Sequence, residues 1–351
     1  GAGDEPKGTI HGANLKCTGF YSDVGTPKLN ELVWRFKTDG AVFSAPAISD
    51  GKIYFGSNDG HLYAVNSESG KEKWKLSTDD AIVSAPTVSE GVVYFGNYDG
   101  YLYAAEVKSG QKKWRFKAGG PITSSPACMD GLVYFGSNDN CFYALYTETG
   151  KQKWKFKTKG DITSSPAISD GVIYFGSKGK FESIAKHLYV LDAMTGEERW
   201  RFNTGDPITC SPAIHNGVLY FGNIFGSFYG VDIKMRREAW RFKAKKEVTS
   251  PAISSDVVCF GSEEGNLYAL DTKSGAVEWK FNTKGDIRSS PAISGSTVYL
   301  GSYDKHLYAV DIETGKEKWT FKTESEVTSS PVISGGTVFF GTAEGYLYAL
   351  K

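Results

Sequence analysis

The tryptophans constrain this chain more than any other feature. They fall at 34, 74, 114, 154, 200, 240, 279 and 319, at spacings of 40, 40, 40, 46, 40, 39 and 40, and the chain has no others. A residue type confined to one slot of a fixed period marks a chain built from copies of one supersecondary unit. Two more series run in step with it. One is Pro46, Pro86, Pro126, Pro166, Pro212, Pro251, Pro291 and Pro331; the other is Tyr63, Tyr103, Tyr143, Tyr189, Tyr229, Tyr268, Tyr308 and Tyr348.

Within one unit, residues 286–323, the segment VYLGS alternates and is β-branched, HLYAVD alternates apolar and polar, and KEKWTFKT puts Trp319 and Phe321 on one face and lysines on the other. Period-two patterning broken by Gly, Asn and Asp turns predicts antiparallel strands. Four strands per ~40 residues is the pattern of a propeller blade. The composition agrees: 49 aromatic residues and 41 glycines suit turn-rich β structure. The expected fold is therefore all-β: an eight-bladed β-propeller of four-stranded antiparallel blades, with almost no helix. The last unit stops after its third strand, and its missing fourth is present as Leu32–Lys37, so the N-terminal strand is expected to close the ring. Closure of this kind removes free sheet edges. Residues 28–351 then form a single propeller, and residues 1–27 a polar lead-in or tether.

Several function classes are excluded or disfavoured. Lys and Arg total 40, Asp and Glu total 40, and this balance gives no basic footprint for nucleic acid. No run approaches ~18 consecutive apolar residues, so no transmembrane segment is expected. Cys17, Cys128, Cys141, Cys210 and Cys259 include no C-x-x-C pair, which leaves zinc unsupported; they read as small buried hydrophobes. His61, His187 and His306 share one slot on different blades and stand too far apart to share a metal ion, so no metal site is expected. Trp34, Trp74, Trp114, Trp154, Trp200, Trp240, Trp279 and Trp319 read as a structural ladder, each burying ~200 Å² against the neighbouring blade. The Ser-Pro pairs start the innermost strands, where a residue lacking an N–H fits an edge facing the central channel.

The repeat AVDIETGKEKW at 309–319, with its variants AVNSESGKEKW at 64–74 and ALYTETGKQKW at 144–154, resembles the tryptophan-docking repeat of the PQQ-like, quinoprotein-type propellers. The unit GVDIKMRREAW at 230–240 lacks the Thr-Gly turn, and its hairpin is expected to be remodelled. The resemblance extends from about residue 11 to 351. It implies a fold shared by quinoprotein dehydrogenases, outer-membrane assembly lipoproteins of the BamB type and sensor domains.

Function in a repeat protein is expected where the repeat breaks. Blade four carries SKGKFESIAKH in its loop between strands two and three, six residues longer than the siblings, and Lys180, Phe181, Glu182, Ile184 and Lys186 on it have the make-up of a contact anchor with a polar rim. The loops between blades should share that face. They supply Asp161, Asp206, Lys245 and Lys246 followed by Glu247, Asp286, Arg288 and Glu326. Arg288 stands where Thr123, Thr163, Thr209 and Thr328 stand in other blades, and is expected to grip an acidic group bidentately.

The reading that follows is a non-enzymatic binding or scaffold propeller, monomeric and without a cofactor, presenting one face to a protein, peptide or glycan partner; the family suggests an extracytoplasmic site at the cell envelope. The alternatives are a PQQ- and calcium-dependent quinoprotein dehydrogenase and a sensor domain of a larger surface protein. The dehydrogenases of the family, as the resemblance implies, use calcium ligands, a catalytic Asp and usually a disulfide between adjacent cysteines, and this chain has no adjacent cysteines.

Overall fold

The computed structural model describes residues 9–10, 19–21, 31–179 and 186–351. They form eight sheets, each built on four antiparallel strands, and contain no helix. Blade one is typical: an inner strand Ala47–Ser49, then Lys52–Gly56, His61–Asn66 and the outer strand Glu72–Ser77. Blades two to seven repeat this order. Blade eight joins Val332–Ser334, Thr337–Gly341 and Tyr346–Leu350 to Leu32–Lys37, with Lys37 opposite Tyr346 and Trp34 opposite Ala349. Beyond that ladder the backbones of Glu31 and Lys351 exchange two bonds of 3.0 and 2.9 Å. The expected eight-bladed ring and its closure are both present.

The apolar second and third strands of each blade form the core. In blade one Tyr54, Phe55, Leu62 and Val65 are all fully buried. Outer strands alternate, with Lys73 and Lys75 exposed and Trp74 half-buried between them. Trp34 Nε1 donates to the carbonyl of Ser67 on the next blade at 3.0 Å, and Trp74, Trp114, Trp154, Trp240 and Trp279 make the equivalent bond at 2.7–3.1 Å. Beneath each of these rings lies a glycine of the next blade's hairpin. Gly150 has φ +69°, and a Cβ there would stand 2.5 Å from the Trp114 ring. The Thr-Gly pair thus serves two ends: it accepts a left-handed turn, and it leaves room for the indole.

The unit without Thr-Gly keeps the same turn rather than remodelling it. Arg236 takes φ +55° where six siblings place glycine at +67° to +73°. Met235 N bonds the Asp232 carboxylate at 2.7 Å, much as Thr314 N bonds Asp311 at 2.9 Å. The side-chain anchor at the start of the turn survives, so the backbone path survives with it, at the cost of a strained arginine.

The Ser-Ser-Pro slots also have a physical account. The first hydroxyl serves its own blade: Gly176 N donates to Ser164 Oγ at 2.8 Å. The second stitches neighbours: Ser125 N donates to Ser165 Oγ, Ser165 N to Ser211 Oγ and Ser211 N to Ser250 Oγ, at 2.8–2.9 Å. These hydroxyls form a belt around the channel instead of standing free to react. Two short pieces of the lead-in add fifth strands inside that belt. Thr9–Ile10 pairs antiparallel with Ala127–Cys128, and Phe20–Tyr21 pairs parallel with Ile293–Ser294. Tyr21, like Ile48, packs against the cluster of Ala45, Ala85 and Val332, and burial raises its hydroxyl pKa.

Candidate functional site

Each loop between strands two and three is bonded to the preceding inter-blade loop, so the two sets share one face as expected. Asn58 N donates to Ala41 O at 2.9 Å, Lys178 N to Asp161 O at 2.9 Å, Glu263 N to Glu247 O at 3.0 Å and Tyr303 N to Asp286 O at 2.9 Å. Around the channel mouth this face is not uniform. The slot three residues before the proline holds Phe43, Val83, Thr123, Thr163, Thr209, Arg288 and Thr328. In the loop from blade five to blade six the slot is missing. From Trp240 to Pro251 there are 11 positions, against 12 from Trp200 to Pro212 and in every other unit. Thr249 does the work of the first serine, accepting from Gly261 N at 2.9 Å, and the residue that would precede it is the one deleted.

The deletion leaves a cavity of about 230 Å³, lined by Thr209, Glu247, Thr249, Glu263, Ile287 and Arg288. The hydroxyl of Thr209 donates to the Glu247 carboxylate. Burial raises the Glu247 pKa; the Thr209 bond opposes this, neighbouring Glu263 adds to it, and Lys178 and Arg288 oppose it. Arg288 reaches across the cavity wall. Its Nε lies 3.3 Å from Glu263, its Nη2 donates to Asp286 at 3.1 Å, and its guanidinium stacks 5.0 Å from the Tyr303 ring centroid. The Arg288 fork thus spans two carboxylates of its own chain, and the third carboxylate of the notch, Glu247, is held by the Thr209 hydroxyl.

Of the residues singled out in the sequence, Asp286 and Arg288 meet at this notch. Glu326 lies close enough to act on Tyr303 electrostatically. Asp206 accepts from Asn223 Nδ2 at 3.4 Å, Asp161 joins through its backbone, and Lys245 and Lys246 are exposed beside Glu247. The carbonyl of Lys186 accepts from Thr204 N at 3.1 Å. Lys180, Phe181, Glu182 and Ile184 lie outside the described residues. Glu263, Thr249 and Tyr303 were not anticipated, although the signal was present: the single tryptophan spacing of 39 marks the deletion. His61 and His306 lie beside the carboxylates of Asp59 and Asp304, at 3.2 and 3.3 Å. Cys128, Cys141, Cys210 and Cys259 are buried and unbridged.

Solved structures share this architecture. A computationally designed protein, Ika8, superposes with TM-score 0.81 at 20% identity, covering 92% of this chain and 99% of its own. BamB from Moraxella catarrhalis gives 0.78 at 18%, covering 92% and 98%. The quinohemoprotein alcohol dehydrogenase from Comamonas testosteroni gives 0.83 at 14%, covering 97% and 80%. At these identities the likeness establishes the fold alone. No curated protein sequence matches the chain. The family model for the outer membrane protein assembly factor BamB matches residues 27–127, 99–234, 185–259 and 231–351, in step with the repeat, and the chain belongs to that family.

Proposed function

We propose that the chain is a non-enzymatic binding propeller of the cell envelope, outside the cytoplasm, which presents its channel-mouth face to a protein partner. The observation that carries this reading is where the repeat is violated. Both changes of unit length, six residues added between Lys178 and Lys186 and one deleted between blades five and six, belong to loops whose described residues share one face. Lys178, at the base of the insertion, is near enough to act on the Glu247 carboxylate. The opposite face carries chain reversals such as Ser169-Asp170-Gly171 and Thr314-Gly315-Lys316, which keep their length in every blade even where the sequence changes, as at Met235-Arg236. BamB, named for outer membrane assembly, supports both the protein partner and the envelope site as readings for this relative.

This reading assigns no calcium–quinone pair to the chain. Among the described residues no three His, Cys, Asp or Glu side chains converge to hold a metal ion. At the notch, Glu247 and Glu263 are engaged by Thr209 and Arg288.

The test is affinity capture from an envelope extract with the wild-type chain, a Glu247→Gln/Arg288→Thr variant and an opposite-face Thr314→Ala/Lys316→Ala control. The notch variant should lose its specific partner while the control retains it. Retention by the notch variant with loss in the control would overturn the choice of face.

A further inference from the structure

The outer wall of the ring is not evenly charged. The outer strands of blades two and three, Lys112–Lys117 and Gln152–Lys157, read KKWRFK and QKWKFK: four cations in one, three in the next, and no carboxylate in either. All but the half-buried Lys153 are exposed. Among the described residues none of the seven takes part in an ion pair. Elsewhere on the wall a carboxylate accompanies the cations, within the strand on five blades and from a neighbouring loop on blade eight. Glu72, Glu198, Glu238, Glu278 and Glu317 interleave the outer strands of blades one, four, five, six and seven. Arg201 and Arg241 pair with Glu198 and Glu238 at 2.6 and 2.7 Å, and on blade eight Arg35 pairs with Glu324 at 2.8 Å. Lysines on an edge strand do guard against strand-to-strand aggregation. Five of the other edges carry that guard with carboxylates interleaved, so protection alone does not call for the excess of one sign.

We propose that the edges of blades two and three form a docking wall for an anionic lipid bilayer. The chemistry favours lipid headgroups over a fixed-sequence polyanion. Six of the seven cations are lysines, flexible point charges without the planar fork that reads a particular phosphate or carboxylate geometry. The one fork, Arg115, is stacked 4.2 Å from the Tyr101 ring centroid, and Lys117 lies 4.6 Å from the same ring. Mobile headgroups can rearrange to such charges, each of which gains from the negative potential of an anionic leaflet. Tyrosines flank the strip on the same two blades: Tyr98 on the channel-mouth side and Tyr146 on the opposite side are 45% and 44% exposed. Tyr is the kind of residue that settles at a headgroup interface. The zero net charge of the whole chain hides this wall, because the balancing acids lie on other blades and in the turns.

The experiment is co-sedimentation of the full chain with vesicles of phosphatidylcholine, alone or containing about 30% phosphatidylglycerol. Binding is expected to the anionic vesicles at about 0.1 M salt and to be largely lost at about 0.5 M, as the Debye length shortens. Lys113→Glu/Lys155→Glu should lower partitioning by about tenfold or more. Lys73→Glu/Lys280→Glu, which makes the same net charge change at matching positions of blades one and six, should lower it by less than about twofold. Thermal melts check folding, and Lys113→Gln/Lys155→Gln gives the same readout if the reversal variant melts early. No binding to anionic vesicles, equal loss in both charge variants, equally tight binding to neutral vesicles, binding that the higher salt leaves unchanged, or duplex DNA bound as tightly as the anionic vesicles would each overturn the lipid assignment.

Discussion

Gly150 and Gly171 have the same backbone conformation, φ +69° and +70°, and very different surroundings. A Cβ on Gly171 would meet nothing within 4 Å, whereas one on Gly150 would stand 2.5 Å from the Trp114 ring. Gly171→Ala should therefore cost only the left-handed penalty, about 1 kcal/mol. Gly150→Ala carries that penalty and must also displace the indole. The displaced ring loses its 2.9 Å bond to the Thr147 carbonyl, about 1 kcal/mol, and part of its contact area, about 1–2 kcal/mol more. The expected cost is then about 3–4 kcal/mol, against about 1 for the matched control. Urea unfolding followed by far-ultraviolet circular dichroism measures both. Tryptophan emission should shift to the red before unfolding only in Gly150→Ala, because only that variant uncovers an indole. Equal midpoints for the two variants would refute the claim that these turn glycines are needed for the tryptophan as well as for the turn.

Two further outcomes follow from local chemistry. Burial places the Glu247 pKa above its unfolded value, so the folded state favours the protonated carboxyl. The stability this gives is full below the unfolded pKa and is lost as pH rises through the folded one. Glu247→Gln should thus raise the urea midpoint relative to wild type at pH 8 more than at pH 4, and an equal difference at both would sink the assignment. Arg236→Gly should stabilise the blade-five hairpin by about 0.5–1 kcal/mol, since it removes a side chain from the left-handed region at some cost in chain entropy; a lower melting temperature would show that the Arg236 side chain contributes more than its backbone strain costs.

The ring was legible in the sequence because each blade repeats the same packing problem and solves it with the same residues. Trp, Pro and Tyr at fixed slots reveal the blade count, and the displaced strand Leu32–Lys37 reveals the closure, without any knowledge of distances. The notch was hidden for the opposite reason. A missing residue leaves no motif, and Glu247, Glu263 and Arg288 belong to three different loops that only the ring brings together. Their charges read singly as a solvated rim. The Arg288 guanidinium illustrates the limit: its replacement of a threonine is visible in the chain, but its commitment to Glu263 and Asp286 depends on a loop of blade six folding back over the loop that follows that blade. Arg236 erred the other way. The loss of Thr-Gly suggested a different hairpin, yet the aspartate that anchors the turn was retained, and one side-chain bond to Asp232 together with the strand pairing outweighs the strain of a single left-handed arginine. Departures from a repeat are therefore informative about place before they are informative about structure: the spacing of 39 locates the notch, and only the fold shows that Glu247 stands in it, half-buried and bonded to the Thr209 hydroxyl.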